Sequence, residues 1–230
     1  MRARPRDSTK QRANMRQPVL DRLPSYLRAV EQLARIGPNE AMNSVSLAEF
    51  IGVTAATLRS DLSYMAGLGK SGKGYEIGVV VAGIRRELGL DQIWNIAMIG
   101  SNTLGKGVIE YLRGGNGEFV VVGLFDPDPM RVGWRLGQHV TEPLTALGGA
   151  VVDRGISIGF VTLQGASVQQ AVEALVDAGV GAIVNCSPEH ASVPPDVRVI
   201  TFDPLLALRT LTPGLVPISD IVKPEDRRDG

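Results

Sequence analysis

The sequence predicts an α/β chain in which a small helical unit precedes a doubly wound, mostly parallel sheet. Three observations predict it. An apolar run, Ile96–Ile99, breaks into a glycine turn, Gly100-Ser101-Asn102-Thr103-Leu104-Gly105, that opens into helical spacing at Leu104, Val108, Ile109 and Leu112. Further apolar runs then alternate with helical segments to the end of the chain, which is the pattern of βαβ units. Upstream, a short helix, a tight turn and a capped helix follow one another between Ser46 and Met65.

Composition narrows the classes. The chain has 230 residues, with 24 Lys and Arg balancing 24 Asp and Glu. The balance is uneven along it. Residues 1–91 carry 14 basic and 9 acidic side chains, whereas residues 92–230 carry 10 and 15. A basic first part points to a polyanion, or to a basic tail, since six of the positive residues precede residue 17. No apolar run is long enough to span a bilayer, and no secretory h-region follows the N-terminus, so a cytoplasmic protein with no membrane contact is expected. One cysteine, Cys186, forms no internal disulfide, and with only His139 and His190 beside it no metal site is expected.

Residues 1–20 are arginine-rich and poor in apolar side chains, so disorder is expected there. Residues 22–36 have helical spacing at Leu23, Leu27, Val30, Leu33 and Ile36, with Pro24 in a first-turn position and Gly37 as the stop. Ser46 followed by Glu49 reads as a capping box for the second helix. Thr54 caps a third helix, Ala55 to about Met65, whose stripe is Leu58, Leu62 and Met65. Thr57, Arg59, Ser60 and Ser63 lie off that stripe, on a face that meets either solvent or a major groove, where arginine is suited to guanine. The glycine-rich stretch 66–76 is either a hairpin wing laying Lys70 and Lys73 on phosphates or a flexible linker. A fourth helix runs from Ile77 to about Leu88, and Gly89 ends it.

In the second part, the first and last glycines of the turn suit a tight bend and close helix–strand packing, and the N–H groups at the helix start suit a pyrophosphate. Asn102 stands where a middle glycine is usual; asparagine tolerates a left-handed backbone better than most residues, so the turn is expected to survive it. Phe119–Asp126 is a second buried strand. Asp126, 26 residues after Gly100, is near the spacing of the acidic residue that takes the ribose hydroxyls in NAD-binding units, and it also has ordinary turn chemistry. Strands follow at 155–163, 182–185 and 197–202, with a helix from Val168 to Ala178 between the first two. Ligands of such sheets sit at the carboxyl ends of strands, which adds Thr162, Asn185 and Pro188 to the cofactor side. Asp203 and Pro204 open a terminal helix dense in leucine (Leu205, Leu206, Leu208, Leu211), a surface to be covered by a partner subunit or by its own domain. Neither histidine has an evident acid–base partner, so hydride transfer to a substrate is not expected.

The chain resembles the Rex redox-sensing transcriptional repressors from about Arg22 to Leu211. The residues that carry the likeness are Arg22-Leu23-Pro24-Ser25-Tyr26-Leu27-Arg28, Val53-Thr54-Ala55-Ala56, Leu58-Arg59-Ser60-Asp61-Leu62-Ser63-Tyr64, Gly72-Lys73-Gly74-Tyr75 and the stretch 125–133. The resemblance implies a homodimer that reads palindromic double-stranded operator DNA with two winged helices, senses NADH against NAD+, and leaves DNA when NADH binds. It also implies a terminal helix swapped between subunits and a polar relay through Arg28, Tyr111 and Asp203. The implied organisation is a basic tail (1–20), a winged-helix DNA-binding domain (21–91), a Rossmann NAD(H)-binding domain (92–202), a dimerisation helix (203–212) and a flexible tail (213–230). The candidate DNA-binding residues are Ser46, Thr54, Thr57, Arg59, Ser60, Ser63, Lys70, Lys73 and Tyr75. The candidate cofactor residues are Gly100, Ser101, Asn102, Thr103, Leu104, Gly105, Asp126, Thr162, Asn185 and Pro188. Three positions depart from the family pattern: Asn102 for glycine, Ser60 for the usual lysine, and Pro204 after Asp203 where some members place an aromatic residue. They leave open a DNA-binding regulator with a weak or lost NADH response; a small NAD-dependent oxidoreductase is the remaining alternative.

Overall fold

A computed structural model describes residues 17–65, 68 and 74–215. The chain divides into two compact units, Met1–Gln92 and Ile93–Gly230.

In the first unit α1 is Gln17–Ala34, β1 Ala41–Met42, α2 Ser44–Ile51, α3 Ala55–Leu62, β2 Tyr75–Glu76 and α4 Ile77–Leu88. The core is one cluster in which Leu23, Tyr26 and Val30 of α1 meet Leu47, Leu58, Leu62, Ile77 and Ile84. α1 starts earlier than its sequence suggests. Residues 17–20 are helical, not part of a disordered tail, because Val19 is buried on the same stripe as Leu23. Pro24 therefore lies inside the helix rather than in its first turn, where it cannot donate to the preceding turn. The N-cap of α2 is Asn43, whose side chain accepts from the N–H groups of Val45 and Ser46; Ser46 is one turn too late to cap. Thr54 caps α3 as expected, accepting from the Thr57 N–H. β1 and β2 pair antiparallel, Ala41 with Glu76 and Met42 with Tyr75. Most of the predicted wing, Lys70 and Lys73 included, lies outside the described residues.

In the second unit β3 is Trp94–Ile99, α5 Thr103–Arg113, β4 Phe119–Asp126, β5 Arg135–Leu136, β6 His139–Pro143, α6 Leu147–Arg154, β7 Ile156–Val161, α7 Ser167–Asp177, β8 Ala182–Asn185, β9 Arg198–Thr201 and α8 Pro204–Leu211. The strands form one seven-stranded sheet in the order β5-β6-β4-β3-β7-β8-β9. All neighbours are parallel except the β5–β6 hairpin at one edge. The strand order turns back on itself at β3, with β4 to one side and β7 to the other, and a doubly wound sheet binds its ligands outside such a point.

The two faces of the sheet are unequally covered. One carries Ala97, Ile99, Phe125, Val161 and Ile183 under α6 and α7. Across the other, register aligns Leu124, Met98, Phe160, Val184 and Ile200 in a single row. α5 buries the β4–β3 end of that row, where Leu124 and Met98 are inaccessible, but Ile200 at the far end is 68% exposed. The terminal helix α8 has no buried residue, and all four of its leucines are more than half exposed.

Candidate nucleotide cleft and nucleic-acid interface

The recognition-helix candidate α3 is held from behind. Asp61 on its buried face is 2% exposed. It accepts from Arg22 Nε and Nη2, both at 2.8 Å, and from the Tyr26 hydroxyl at 2.8 Å. Burial pushes the Asp61 carboxyl up, but the hydrogen bonds from Arg22 and Tyr26 outweigh it and hold the group below the usual carboxylate range. The opposite face of α3 is free: Arg59, Ser60 and Ser63 are exposed and Thr57 is half-buried. Arg59 Nη1 donates to Ser44 Oγ at 2.9 Å, which lays the guanidinium across the start of α2. Thr54 and Thr57 share a hydroxyl–hydroxyl bond, and Ser63 Oγ bonds the Ser60 carbonyl.

In the second unit the glycine turn after β3 is as tight as its composition suggests. Gly100 has φ +119°, and a Cβ there would stand 2.5 Å from Thr162 Oγ1. A Cβ on Gly105 would stand 2.3 Å from the Gly100 carbonyl oxygen. Neither position has room for a side chain. Asn102, by contrast, is extended (φ −117°, ψ −178°) rather than left-handed, because it serves as the N-cap of α5. Its Oδ1 accepts from the Gly105 N–H at 2.9 Å, and its Nδ2 donates to the Thr162 carbonyl at 2.7 Å. The side chain thus staples the helix start to the end of β7. The N–H groups of Thr103 and Leu104 are the first two of α5, where a helix supplies no acceptor of its own, and such groups suit an anion.

Asp126 closes the turn from the other side. It is 2% exposed. One carboxylate oxygen, Oδ2, accepts from the Ser101 N–H at 2.8 Å and Ser101 Oγ at 2.7 Å, while Oδ1 accepts from the Asp128 N–H at 2.9 Å. Arg131 Nη1 donates to the Ser101 carbonyl at 3.0 Å, and its guanidinium lies 5.7 Å from the Trp134 ring centre. Around these groups opens a cleft of about 660 Å³ lined by Asn102, Thr103, Leu104, Asp126, Arg131 and Thr162, with Gln164, Ser167 and Gln170 on the α7 side. Its polar lining, helix N-terminus and glycine floor suit a dinucleotide phosphate backbone.

Residues 16–63 match a family model described as putative DNA-binding protein N-terminus. The redox-sensing transcriptional repressor Rex of Chloroflexus aggregans is 34% identical over 194 residues, spanning 84% of this chain and 91% of that protein. The chain belongs to the Rex family of redox-sensing transcriptional repressors. Rex of Streptomyces griseus is 37% identical over 191 residues, 83% of this chain and 75% of its own length. Among solved structures, that of RSP, a Rex-family repressor, has TM-score 0.76 at 28% identity over 86% of this chain and 92% of that one. The structure of RSP in complex with beta-NAD+ and operator DNA has TM-score 0.78 at 29% identity, over 85% and 89% of the two chains. RSP in complex with beta-NADH matches at 0.74 and 28% identity, over 86% and 92%.

The Rex signatures in this sequence have physical roles. Arg22, Tyr26 and Asp61 form one hydrogen-bonded cluster, and the stretch 125–133 supplies Asp126, Asp128 and Arg131 to the cleft wall. Of the ten cofactor residues expected from sequence, Asn102, Thr103, Leu104, Asp126 and Thr162 line the cleft, with Gly100, Ser101 and Gly105 beneath them. Asn185 and Pro188 do not line it. Asn185 is fully buried and spends its amide on the Glu189 carbonyl and its Oδ1 on the Ser187 N–H, and Pro188 is exposed. Arg131 is a cleft residue that the sequence did not single out, as are Gln164, Ser167 and Gln170; its signal was a lone cation two residues after the turn at 126–129. Of the relay residues, Arg28 is exposed on α1, Tyr111 is 81% exposed on α5, and Asp203 caps α8 by accepting from the Leu205 N–H.

Proposed function

We propose that this Rex-family chain is a repressor that binds operator DNA as a homodimer through the exposed face of α3, and that NADH entering the cleft at the Gly100–Gly105 turn releases it. The observation that carries the reading is the turn itself: Gly100 and Gly105 sit where any side chain would collide, and two N–H groups at the start of α5 are left for an anion. The structures of RSP in complex with beta-NAD+ and operator DNA, and with beta-NADH, support both ligands.

In this reading Thr54, Thr57, Ser60 and Ser63 face phosphates or bases, Arg59 exchanges Ser44 for a guanine edge, and Tyr75 supports the wing strand. Thr103 and Leu104 hold the pyrophosphate with their N–H groups, and Asp126 receives the adenosine ribose. Its negative charge disfavours a 2′-phosphate, so NADH is preferred over NADPH. The uncovered end of the sheet and the leucines of α8 are where a second copy would pack, with Arg28, Tyr111 and Asp203 as the polar groups that differ between DNA-bound and released states. Members of this family are regulators, and we assign the chain no catalytic turnover.

The test is an electrophoretic mobility shift of a palindromic operator with the full chain, with and without NADH. NADH should release the DNA, and NAD+ should do so far less. Retention of the operator at millimolar NADH would favour a second reading, a regulator with a lost redox response, which the Asn102 staple motivates.

A further inference from the structure

Ser101 occupies an unusual place in the cleft. All its polar groups are spent within the turn: N–H and Oγ–H on Asp126 Oδ2, and carbonyl on Arg131. It is 3% exposed and cannot be reached directly by a ligand. Its effect falls on Asp126. An ionised carboxylate offers about four lone-pair positions. Ser101 takes both positions of Oδ2 and the Asp128 N–H takes one of Oδ1. One remains. A ribose 2′,3′-diol carries two hydroxyl donors, so Asp126 can serve only one of them while the Ser101 hydroxyl stays in place.

We propose that the Ser101 hydroxyl is an internal competitor of the adenosine ribose, setting the dinucleotide affinity of this cleft by occupying one of the acceptor positions of Asp126. The proposal rests on the reading that the cleft takes a dinucleotide. It follows that Ser101 weakens every adenosine ligand bearing the diol, whatever the redox state of the nicotinamide. It scales the response to total NAD(H) and leaves discrimination between NADH and NAD+ alone. The main-chain N–H of Ser101 still binds Asp126 when the hydroxyl is removed, so the turn keeps its anchor.

The experiment is calorimetric titration of the full chain, wild type, Ser101→Ala and Ser101→Gly, with NADH, ADP and 2′-deoxy-ADP. A hydrogen bond to a charged group is strong enough that its release should tighten NADH and ADP by about five- to tenfold in both variants. 2′-Deoxy-ADP, with one hydroxyl, should change less than about twofold. Thus the preference for ADP over its deoxy form should rise, which a general loosening of the turn would not produce. Wild-type binding of NADH with unchanged or weaker affinity in the variants would overturn the competitor role and leave the cofactor reading intact. If neither the wild type nor the variants bound any of the three ligands, the cleft would not be an adenosine site and both readings would fall. Loss of folding in both variants would make the hydroxyl a structural strut and overturn the proposal as well.

Discussion

Arg22 and Asp61, 39 residues apart, meet in a two-pronged ion pair in which Nε and Nη2 each donate to one carboxylate oxygen at 2.8 Å. The pair ties α1 to the buried side of α3, and Tyr26 adds a third donor. None of the three lies on the exposed face of α3, so they position that helix rather than read DNA. Arg22→Ala would leave a 2%-exposed carboxylate with only Tyr26 for company. The first unit should lose stability, because the buried carboxylate is left without its paired cation. Urea unfolding should report it, and operator affinity should fall with it. Arg22→Lys keeps the charge but not the fork and should recover only part. Wild-type stability in Arg22→Ala would refute the positioning role.

The same cluster gives the first unit a defined pH response. The folded-state pKa of Asp61 lies below its usual value, so its contribution is complete above about pH 4 and fades as pH falls through the lowered value. Burial, followed by the bond to Asp61, pushes the Tyr26 hydroxyl up to about 12. A raised folded value means that the folded state holds its proton longer. That contribution is therefore complete below about pH 10 and is lost as pH rises through about 12. The difference in urea midpoint between wild type and Asp61→Asn should shrink on the acid side, and that between wild type and Tyr26→Phe on the alkaline side. Flat differences across both ranges would contradict the assignment.

Gly105 and Gly107 lie two residues apart on α5 and should respond to alanine with opposite sign. A Cβ on Gly105 meets the Gly100 carbonyl at 2.3 Å, backbone against backbone, whereas a Cβ on Gly107 meets nothing within 4 Å. Gly105→Ala should destabilise the second unit by about 1–3 kcal/mol and abolish NADH binding. Gly107→Ala should stabilise it by about 0.5–1 kcal/mol with NADH binding unchanged. Thermal unfolding with paired titrations checks both, and matching effects at the two sites would mean the turn is looser than drawn.

Much of the fold was legible because its strands obey simple burial rules. β3, β4 and β7 are flanked by other strands, and read as continuous apolar runs. The edge was not legible. β6 alternates a buried Thr141 with half-exposed neighbours, and α6 opens Leu147-Gly148-Gly149, which breaks any helical signature. The start of α1 was misplaced because Pro24 has first-turn chemistry that a long buried stripe overrides. The capping box at Ser46 and Glu49 fits the sequence rule, yet Asn43 takes the role by accepting two N–H groups. At the cleft, the glycines announced the turn. The engagement of Asp126 by Ser101 did not show, since a hydrogen bond across 25 residues leaves no periodicity. Nor did Asn102 reveal whether it bends the chain or caps the helix; the geometry gives it the cap.

That cap separates stability from ligand binding at one residue. Asn102→Asp keeps an acceptor for the Gly105 N–H and adds a negative charge that the helix N-terminus favours, but it cannot donate to the Thr162 carbonyl. Stability should stay within about 1 kcal/mol of wild type. NADH binding should fall by tenfold or more, on the order of 1.4 kcal/mol, because the new charge faces the pyrophosphate. Asn102→Ala should show the reverse balance, losing about 1 kcal/mol of stability without charge repulsion. Comparable NADH affinity in wild type and Asn102→Asp would place the phosphates elsewhere.

The terminal helix offers the last test. Leu205, Leu206, Leu208 and Leu211 are 54, 54, 58 and 65% exposed, and Ile200 on the neighbouring strand is 68% exposed. Among the described residues nothing buries this helix, so a second copy covering it would supply the burial. Each leucine is worth about 1.5–3 kcal/mol when buried, and a two-fold pair counts each substitution twice. Leu205→Glu with Leu208→Glu should therefore shift sedimentation from twice the 24.5 kDa chain mass to that of a single chain. Operator affinity should fall with it, since a palindrome read by one head loses half its contacts. The separated chain should still bind NADH, as none of these leucines lines the cleft. A wild-type protein that sedimented as one chain, or a doubly charged variant that stayed paired, would remove α8 from the interface.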